Sequence, residues 1–495
     1  AAVTPEECVA DDSALLQTAN QINTDALARH GAAPQGEKSE AVKKAHTILG
    51  MPGDFYHASI VPLLVVTIFL AWLARPSTKE PFPEGFTSFR MRYLIGWCLC
   101  VAADWLQGPY VYALYSAYGY SKHQNAQLFV AGFASSMVCG CFVGSMVDKW
   151  GRKRSALAYC LCYALSCMSK HFHSYGMLMI GRILGGVSTS LLYSCFECWM
   201  VSEHMGRYKF SDGLLSYMFG SMFMLMYVVA ILSGFFAQLV VEKVPFEPIS
   251  EGSHIWMGGF LCPFDIAIVS LLCGAVHIAV CWDENYGAIE GGADMSVTEV
   301  FRVGLNEFAK DRRLWLLGCV VACFEGSMFA FVFNWTPALE DKETPPPLGL
   351  IFAAFMMACM CGSCLSTIAG KYCDAHLKLT VVCLAGVASF FVIVFATAQH
   401  QIRTCFLGFL LFEGLVGAYF PSVGVLKSEV VPENVRSTVY NIYRVPLNAV
   451  VVCLLLTNLS LLRCYGLCAS LLMVAFIASS VLSQQRIAEV GTKTL

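Results

Sequence analysis

The stretch "GSMVDKWGRKR" (Gly144–Arg154) is a short charged interruption between two apolar runs, residues 125–147 and 155–170. Long apolar runs joined by a tight basic turn are what two membrane-spanning helices with a loop at one surface require. In that setting Gly144 lets helix backbones approach closely. Asp148 is placed to accept hydrogen bonds at a neighbouring helix N-terminus. Gly151 permits the turn, and Arg152 and Lys153 anchor at the lipid headgroups. A loop that needed only positive charge would account for the basic residues but not for the ordered Gly/Asp/Gly.

The remainder of the chain agrees with a bilayer. Of 495 residues, 57% are hydrophobic and 14% charged, and the mean hydropathy is +0.61; soluble domains carry roughly 25% charged residues. The net charge of −3 argues against a nucleic-acid partner, which calls for a basic excess. Most of the 24 cysteines lie inside apolar runs ("GWCLC", "YCLCY", "ACMCGSC"), where thiols act as small hydrophobes. There is no zinc-spaced CxxC pair, no GxGxxG after a strand and no nucleophile–base constellation, so no enzyme, cofactor or metal is expected. "HFH" (His171–His173) on a short polar connection is too little for a metal site.

A polar tail (1–56) precedes a first apolar run, "ASIVPLLVVTIFLAWLA" (Ala58–Ala74), read as an extra transmembrane helix over 57–75. Twelve further runs follow. They predict an all-α membrane protein with an N-terminal six-helix bundle (92–282), a cytoplasmic linker (283–313), a C-terminal six-helix bundle (314–483) and a cytoplasmic tail (484–495). Outside the tail and the spans, twenty Lys and Arg residues fall on alternate connections and six on the opposite ones. That asymmetry predicts a cytoplasmic linker and C-terminus and an extracellular N-terminus. The sequons at Asn334 and Asn458 fall at the outer ends of spans and are read as chance.

Six ionisable residues lie well inside the twelve-span block: Asp104, Arg182, Glu197, Glu325, Glu413 and Arg444. Each costs roughly 2.5–3.5 kcal/mol at mid-membrane unless it pairs, protonates or faces water. Five of them fall on spans 1, 4, 7 and 10, the first members of four triplets; Arg444 is on span 11. "CFECW" (195–199), "CFEGS" (323–327) and "LFEGL" (411–415) echo one another. Together these features predict a repeat-built transporter with its site between the halves. Arg182 and Glu197 are fifteen residues apart, about 22 Å along a helix, so Arg182 needs a partner on another span, Asp104 or Glu325. Buried guanidinium forks suit an oxyanion, and Pro446 is expected to kink the helix that carries Arg444. Asp104, Gln107, Val111 and Tyr115 share a helical face bordered by Tyr110, and Gly108-Pro109 is expected to loosen that helix. Trp105, Trp199 and Trp335 either line the cavity or anchor at an interface.

The opening motif resembles the G-x-L-a-D-r-x-G-R-[KR] signature of the major facilitator superfamily, with Met146 in place of leucine. The resemblance implies the major facilitator fold and a gate built from Gly144, Asp148, Gly151, Arg152, Lys153 and, from the second half, Arg436. "GRILGG" (181–186) is similar to the Arg-x-x-x-Gly element of span 4. "GKYCDAHLK" (370–378) keeps Lys371 and Asp374 of a second copy, so the two gates are expected to be unequal. Longer stretches resemble the eukaryotic molybdate-anion transporter family. They include "AADWLQGPYVYALY" (102–115), "GRILGGVSTSLLYSCFECW" (181–199), "WDENYG" (282–287), "FEGSMFAFVFNWTPAL" (324–339), "YFPSVGVLKSEVVPE" (419–433) and "YRVPLN" (443–448). That resemblance implies uptake of molybdate, an oxyanion, at the plasma membrane.

The residues and the resemblance together give a substrate-binding set of Arg444, Arg182, Asp104, Gln107, Tyr110, Tyr115, Glu325, Trp335 and Asn448. The proton-coupling candidates are Asp104, Glu325, Glu413 and Glu197. The expected activity is secondary active transport by alternating access, as a monomer in the lipid bilayer, with or without proton coupling. A transporter of another small anion or solute, and a non-transporting nutrient sensor on the same scaffold, stay open as alternatives.

Overall fold

A lipid-facing backbone must bond to itself, and the apolar runs accordingly form helices. The computed structural model describes residues 52–286, 308, 310–341, 345–431, 436–457 and 459–493. The tail up to residue 51, most of the 283–313 linker, Asn458 and the side chain of Arg436 lie outside the described residues.

Helix α1 (Pro52–Leu73) leads into the first half: α2 (Phe86–Gln107), α3 (Val111–Ala117), α4 (Lys122–Trp150), α5 (Arg152–Ser169), α6 (Tyr175–Ser202), α7 (Asp212–Val241) and α8 (Cys262–Cys281). The second half contains α9 (Arg312–Ala338), α10 (Leu348–Ala369), α11 (Ala375–Ala398), α12 (Ile402–Val430), α13 (Arg436–Leu456) and α14 (Leu461–Lys493). Short polar residues start several of them. Ser121 and Gln124 form a reciprocal capping box on α4, and Ser211, Asp311 and Asp374 cap α7, α9 and α11. Among the described residues nine helices are long and apolar enough to cross a membrane, α1 among them, and bent α4 makes ten. Helices α2, α5 and α13 fall outside that set; they carry arginines (Arg90 and Arg92; Arg152 and Arg154; Arg436 and Arg444) within their length.

Two departures from the predicted limits have local causes. The run expected to span from residue 256 begins as a two-residue strand, Trp256–Met257, paired with Glu247–Pro248, and turns helical only near Cys262. The expected tail from 484 instead continues α14 to Lys493, because "QQRIAEV" is a run of good helix formers and Arg486 is held by Glu429 and Asp374.

Each half is a bundle of six, with α2 and α3 together counting as one broken member. Within the first, α4 packs on α6, α5 on α6 and α8, and α2 on α7 and α8; within the second, α10 packs on α12, α11 on α12 and α14, and α9 on α13 and α14. The two most extensive pairings between halves are α4 with α13 and α7 with α10, and α3 also touches α9. A two-fold exchange of the halves maps one pair onto the other. Small residues permit the tightest of these contacts. A β-carbon at Gly234 of α7 would stand 2.7 Å from the Gly349 carbonyl of α10, and one at Gly362 of α10 would be 2.7 Å from the Gly414 carbonyl carbon of α12.

Helix α1 rests on the second half through Thr67, whose hydroxyl meets the Cys361 thiol at 3.2 Å, and through Tyr56 against Phe406. Its other face, with Val61, Val65, Ile68, Phe69 and Trp72, is exposed.

Candidate functional site

The stripe where α4 meets α6 organises the site. Gly132, Ser136 and Gly140 follow one another at four-residue intervals on α4, and Arg182, Gly186 and Ser190 do so on α6, so each triad forms one ridge. A β-carbon at Gly186 would collide with Ser135 and the Gly132 carbonyl. The two helices can approach this closely only because glycine stands there. Ser190 donates to the Ser136 carbonyl at 2.8 Å, and the two hydroxyls are 3.1 Å apart.

Two arginines meet this ridge, Arg182 half-buried and Arg444 exposed. A β-carbon at Gly132 would be 2.7 Å from Nη2 of Arg182. Arg182 donates through Nε to the Leu128 carbonyl at 3.1 Å and stacks over the Phe129 ring at 4.8 Å. Arg444 arrives from α13, across the seam between halves, and its guanidinium fills the space that a β-carbon at Gly140 would need. Helix α4 bends by 52° just beyond that point, between its 122–140 and 142–150 portions. The two glycines are eight residues apart, so the guanidinium groups sit about 12 Å from one another along α4. Neither arginine makes an ion pair among the described residues.

The expected partner for Arg182 is therefore corrected. Asp104 is within its electrostatic range, but the carboxylate accepts a hydrogen bond from Tyr163 of α5 at 2.5 Å. Tyr163 packs against the Tyr159 ring at 5.5 Å, and its bond occupies Asp104 inside the first bundle. Glu325 accepts from Tyr419 of α12 at 3.0 Å and pairs with Lys427 at 3.6 Å. Each half thus holds one carboxylate bonded to a tyrosine.

The other candidates separate. Gln107 donates to its own helix at the Ala103 carbonyl, and Asn448 does the same at Arg444. The helix breaks at Gly108–Tyr110, where Phe352 of α10 presses against Gly108. Tyr110 donates to Gln238 of α7, and the same Gln238 oxygen receives the Gly349 amide of α10 at 2.8 Å, a junction between halves. Tyr115 is fully buried with a hydroxyl that has no hydrogen-bond partner among the described residues. Trp335 packs edge-on against Phe355 in the second bundle, and Trp199 stacks on Trp282 at 3.9 Å. Glu413 is buried within electrostatic range of Tyr227 and Cys359, at the α7–α10 seam. Neither it nor Glu197 makes a hydrogen bond or ion pair among the described residues.

At the end of the bundle carrying the opening motif, the structure differs from expectation in two ways. Asp148 accepts from the side chain of Arg152 (2.8 Å), the first residue of α5, rather than from backbone amides at that helix N-terminus, and a β-carbon at Gly144 would meet no described atom within 4 Å. The start of α5 is instead served by Glu284, whose carboxylate accepts from the amides of Lys153 (2.8 Å) and Arg154 (3.2 Å). Asn285 accepts from the Arg152 amide and donates to Glu203, and Asp283 pairs with Arg207. Residues 282–285 thus form a strap under the first bundle. The second half has a sparser counterpart, in which Arg486 reaches Asp374 and Glu429, and His376 reaches Glu429.

Contacts between halves cluster toward the opposite end. Phe333 of α9 meets Tyr112 and Phe129, and Phe329 meets Phe133 at 4.8 Å.

Sequence reasoning did not single out Lys427, which was counted with a surface loop, nor the serines beside Arg444, nor the role of Glu284. It also set Lys170 in a polar loop, whereas the structure buries its amine against the Ser166 carbonyl. In each case the missing information was the helix face opposite the residue.

Two six-helix bundles meeting on glycine-lined seams, with Arg444 at the seam and without a carboxylate partner among the described residues, and with a Gly/Asp/Gly basic turn at one end, define a major facilitator transporter rather than an enzyme. Residues 55–409 match the family model MFS_5, described as sugar transporters with 12 transmembrane segments. The chain is 34% identical over 405 residues to a molybdate-anion transporter of Xenopus tropicalis, covering 80% of this chain and 84% of that one. It is 34% identical over 435 residues to one of Danio rerio, covering 83% and 86%. Its fold is similar to a bacterial homologue of the iron transporter ferroportin in an inward-facing state (TM-score 0.62, 12% identity, 81% of this chain and 100% of that one). It is also similar to the xylose transporter XylE from E. coli (TM-score 0.59, 11% identity, 80% and 95%). The chain belongs to this family of the major facilitator superfamily, together with the molybdate-anion transporters.

Proposed function

We propose that this protein imports molybdate across the plasma membrane by alternating access, with Arg444 as the principal anion ligand. The observation that carries the reading is the Arg444 guanidinium at the α4–α13 seam, without a carboxylate partner among the described residues and next to the Ser136–Ser190 hydroxyl pair. A cation held there favours an anionic substrate. A neutral sugar, which the wider family description would suggest, leaves Arg444 without counter-charge among the described residues. The names of the relatives supply the particular oxyanion.

The basic motif end is assigned to the cytoplasm, with the C-terminus inside, the N-terminus outside and α1 crossing the membrane. In that orientation the aromatic contacts of Phe329 and Phe333 close the outer end, and the bond of Asp148 within its own half leaves the cytoplasmic latch open. The arrangement then corresponds to the inward-facing stage of the cycle, in a monomer.

Proton coupling is assigned to Asp104 and Glu325. Both are bonded to a tyrosine hydroxyl, which gives a proton a route on and off the carboxylate. Glu413 and Glu197 lack such a donor among the described residues. The test is uptake of labelled molybdate by proteoliposomes with and without an inward proton gradient. Stimulation by the gradient is expected; gradient-independent uptake removes the coupling, and absence of uptake removes the substrate.

A further inference from the structure

Lys427 belongs to no part of the mechanism so far, yet its side chain is only 23% exposed within the last turn of α12. Its ammonium reaches two other helices at once. It lies 3.6 Å from Glu325 of α9 and 5.7 Å above the Tyr440 ring of α13. Tyr440 and Arg444 are four residues apart, hence on one face of α13 and about 6 Å apart along its axis. Lys427 therefore lies over the side chain one helical turn before Arg444, on the same face of α13.

The Glu325 pair is loose. A charge-assisted hydrogen bond from nitrogen to a carboxylate closes to about 2.7–2.9 Å, and this contact stops short of that. The oxygen concerned already accepts from Tyr419, so Glu325 keeps a donor when the lysine moves. The lysine stem has four rotatable carbons and carries a compact charge free to be redirected. A static brace between α9 and α12 would gain most from a close, fully bonded geometry, which this pair does not have.

We propose that Lys427 is the second cationic ligand of the transported oxyanion, and that Glu325 is the counter-ion it leaves when the anion binds. The inference rests on the anion-transport reading above and adds the group that completes the charge. A dianion meets two positive charges, Arg444 and Lys427, while Glu325 competes for the second. Competition makes a signed prediction: removing Lys427 weakens anion binding, whereas neutralising Glu325 strengthens it. A structural ion pair predicts the same direction for both, because either change breaks the same contact.

The experiment is calorimetric titration of the purified full chain in lipid nanodiscs with molybdate and, in parallel, with sulfate. For molybdate, Lys427→Gln is expected to bind about tenfold more weakly, Lys427→Arg within a few-fold of wild type, and Glu325→Gln a few-fold more tightly. Unchanged affinity in Lys427→Gln, or weakening in Glu325→Gln, overturns the proposal. Should Lys427→Gln fail to fold, the sign of the Glu325→Gln change decides alone. If wild type binds sulfate but not molybdate and the two variants still shift oppositely, the substrate assignment fails and the role of Lys427 stands. No binding of either anion by wild type overturns both.

Discussion

Arg444 on α13 and Gly140 on α4 occupy one space: the guanidinium sits where the β-carbon of any other residue at 140 would have to be. The contact joins the two bundles at the bend of α4, so the proposed anion ligand is also a point at which the halves touch. An arginine placed there senses both the substrate and the relative position of the halves. That coupling of occupancy to geometry is what alternating access requires.

Gly140→Ala is accordingly expected to push Arg444 off its seat. The guanidinium is the far end of a flexible side chain and can shift at little cost in stability, so melting should change little while molybdate uptake falls. Gly466→Ala on α14, outside the site and the gate, meets no described atom within 4 Å and serves as the control, with wild-type melting and uptake. Uptake and melting measured on both variants check this; equal behaviour of the two would remove the special role of Gly140.

Asp104→Asn should leave the fold intact, because the amide oxygen still accepts from Tyr163. Proton stimulation of uptake should be lost while molybdate affinity changes little. Tyr163→Phe, by contrast, strands a buried carboxylate and should lower stability by about 1–3 kcal/mol. Melting curves and gradient-driven uptake separate the two outcomes.

Glu284→Ala should loosen the first turn of α5. It removes the acceptor for two amides at a helix N-terminus, worth about 1 kcal/mol. Hydrogen exchange at Lys153 and Arg154 should accelerate, with amides deeper in α5 unaffected. A uniform change along α5, or none, would show that the strap does not cap it.

The Asp283–Arg207 pair predicts a pH and salt dependence. The hydrogen bond from Arg207 holds the Asp283 carboxyl below the usual aspartate range. A depressed carboxylate stabilises the fold above its unfolded value near 3.9, and that contribution is lost as pH falls through the lower folded value. Both side chains are about half exposed, so the gain is roughly 0.2–1 kcal/mol and screened by salt. Wild type should melt above Asp283→Asn at neutral pH and low salt. The two should converge in strong acid and in roughly 1 M salt.

What the sequence disclosed and what it withheld divide along physical lines. The helices, the break at Gly108-Pro109 and the six-and-six halves follow from apolar length and from backbone chemistry local to each residue. Asp104 and Glu325 stood out because an ionisable group in an apolar run is conspicuous wherever it points. Lys427 did not, since a lysine near a span end is equally suited to reach the headgroups or to fold back into the bundle, and only the opposing Glu325 decides. The α4–α6 ridge was hidden for a similar reason. Gly132, Ser136 and Gly140 acquire meaning only when matched with Arg182, Gly186 and Ser190, fifty residues on. Glu284 was invisible because its partners are backbone amides, which no sequence pattern marks.

The central claim is that Arg444 binds the transported oxyanion. Its most direct test is uptake of labelled molybdate by proteoliposomes containing wild type or Arg444→Gln, each verified as folded by melting. Saturable uptake by wild type, reduced at least about tenfold in Arg444→Gln and not restored by a proton gradient, is the result expected here. Uptake by Arg444→Gln equal to that of wild type would contradict it.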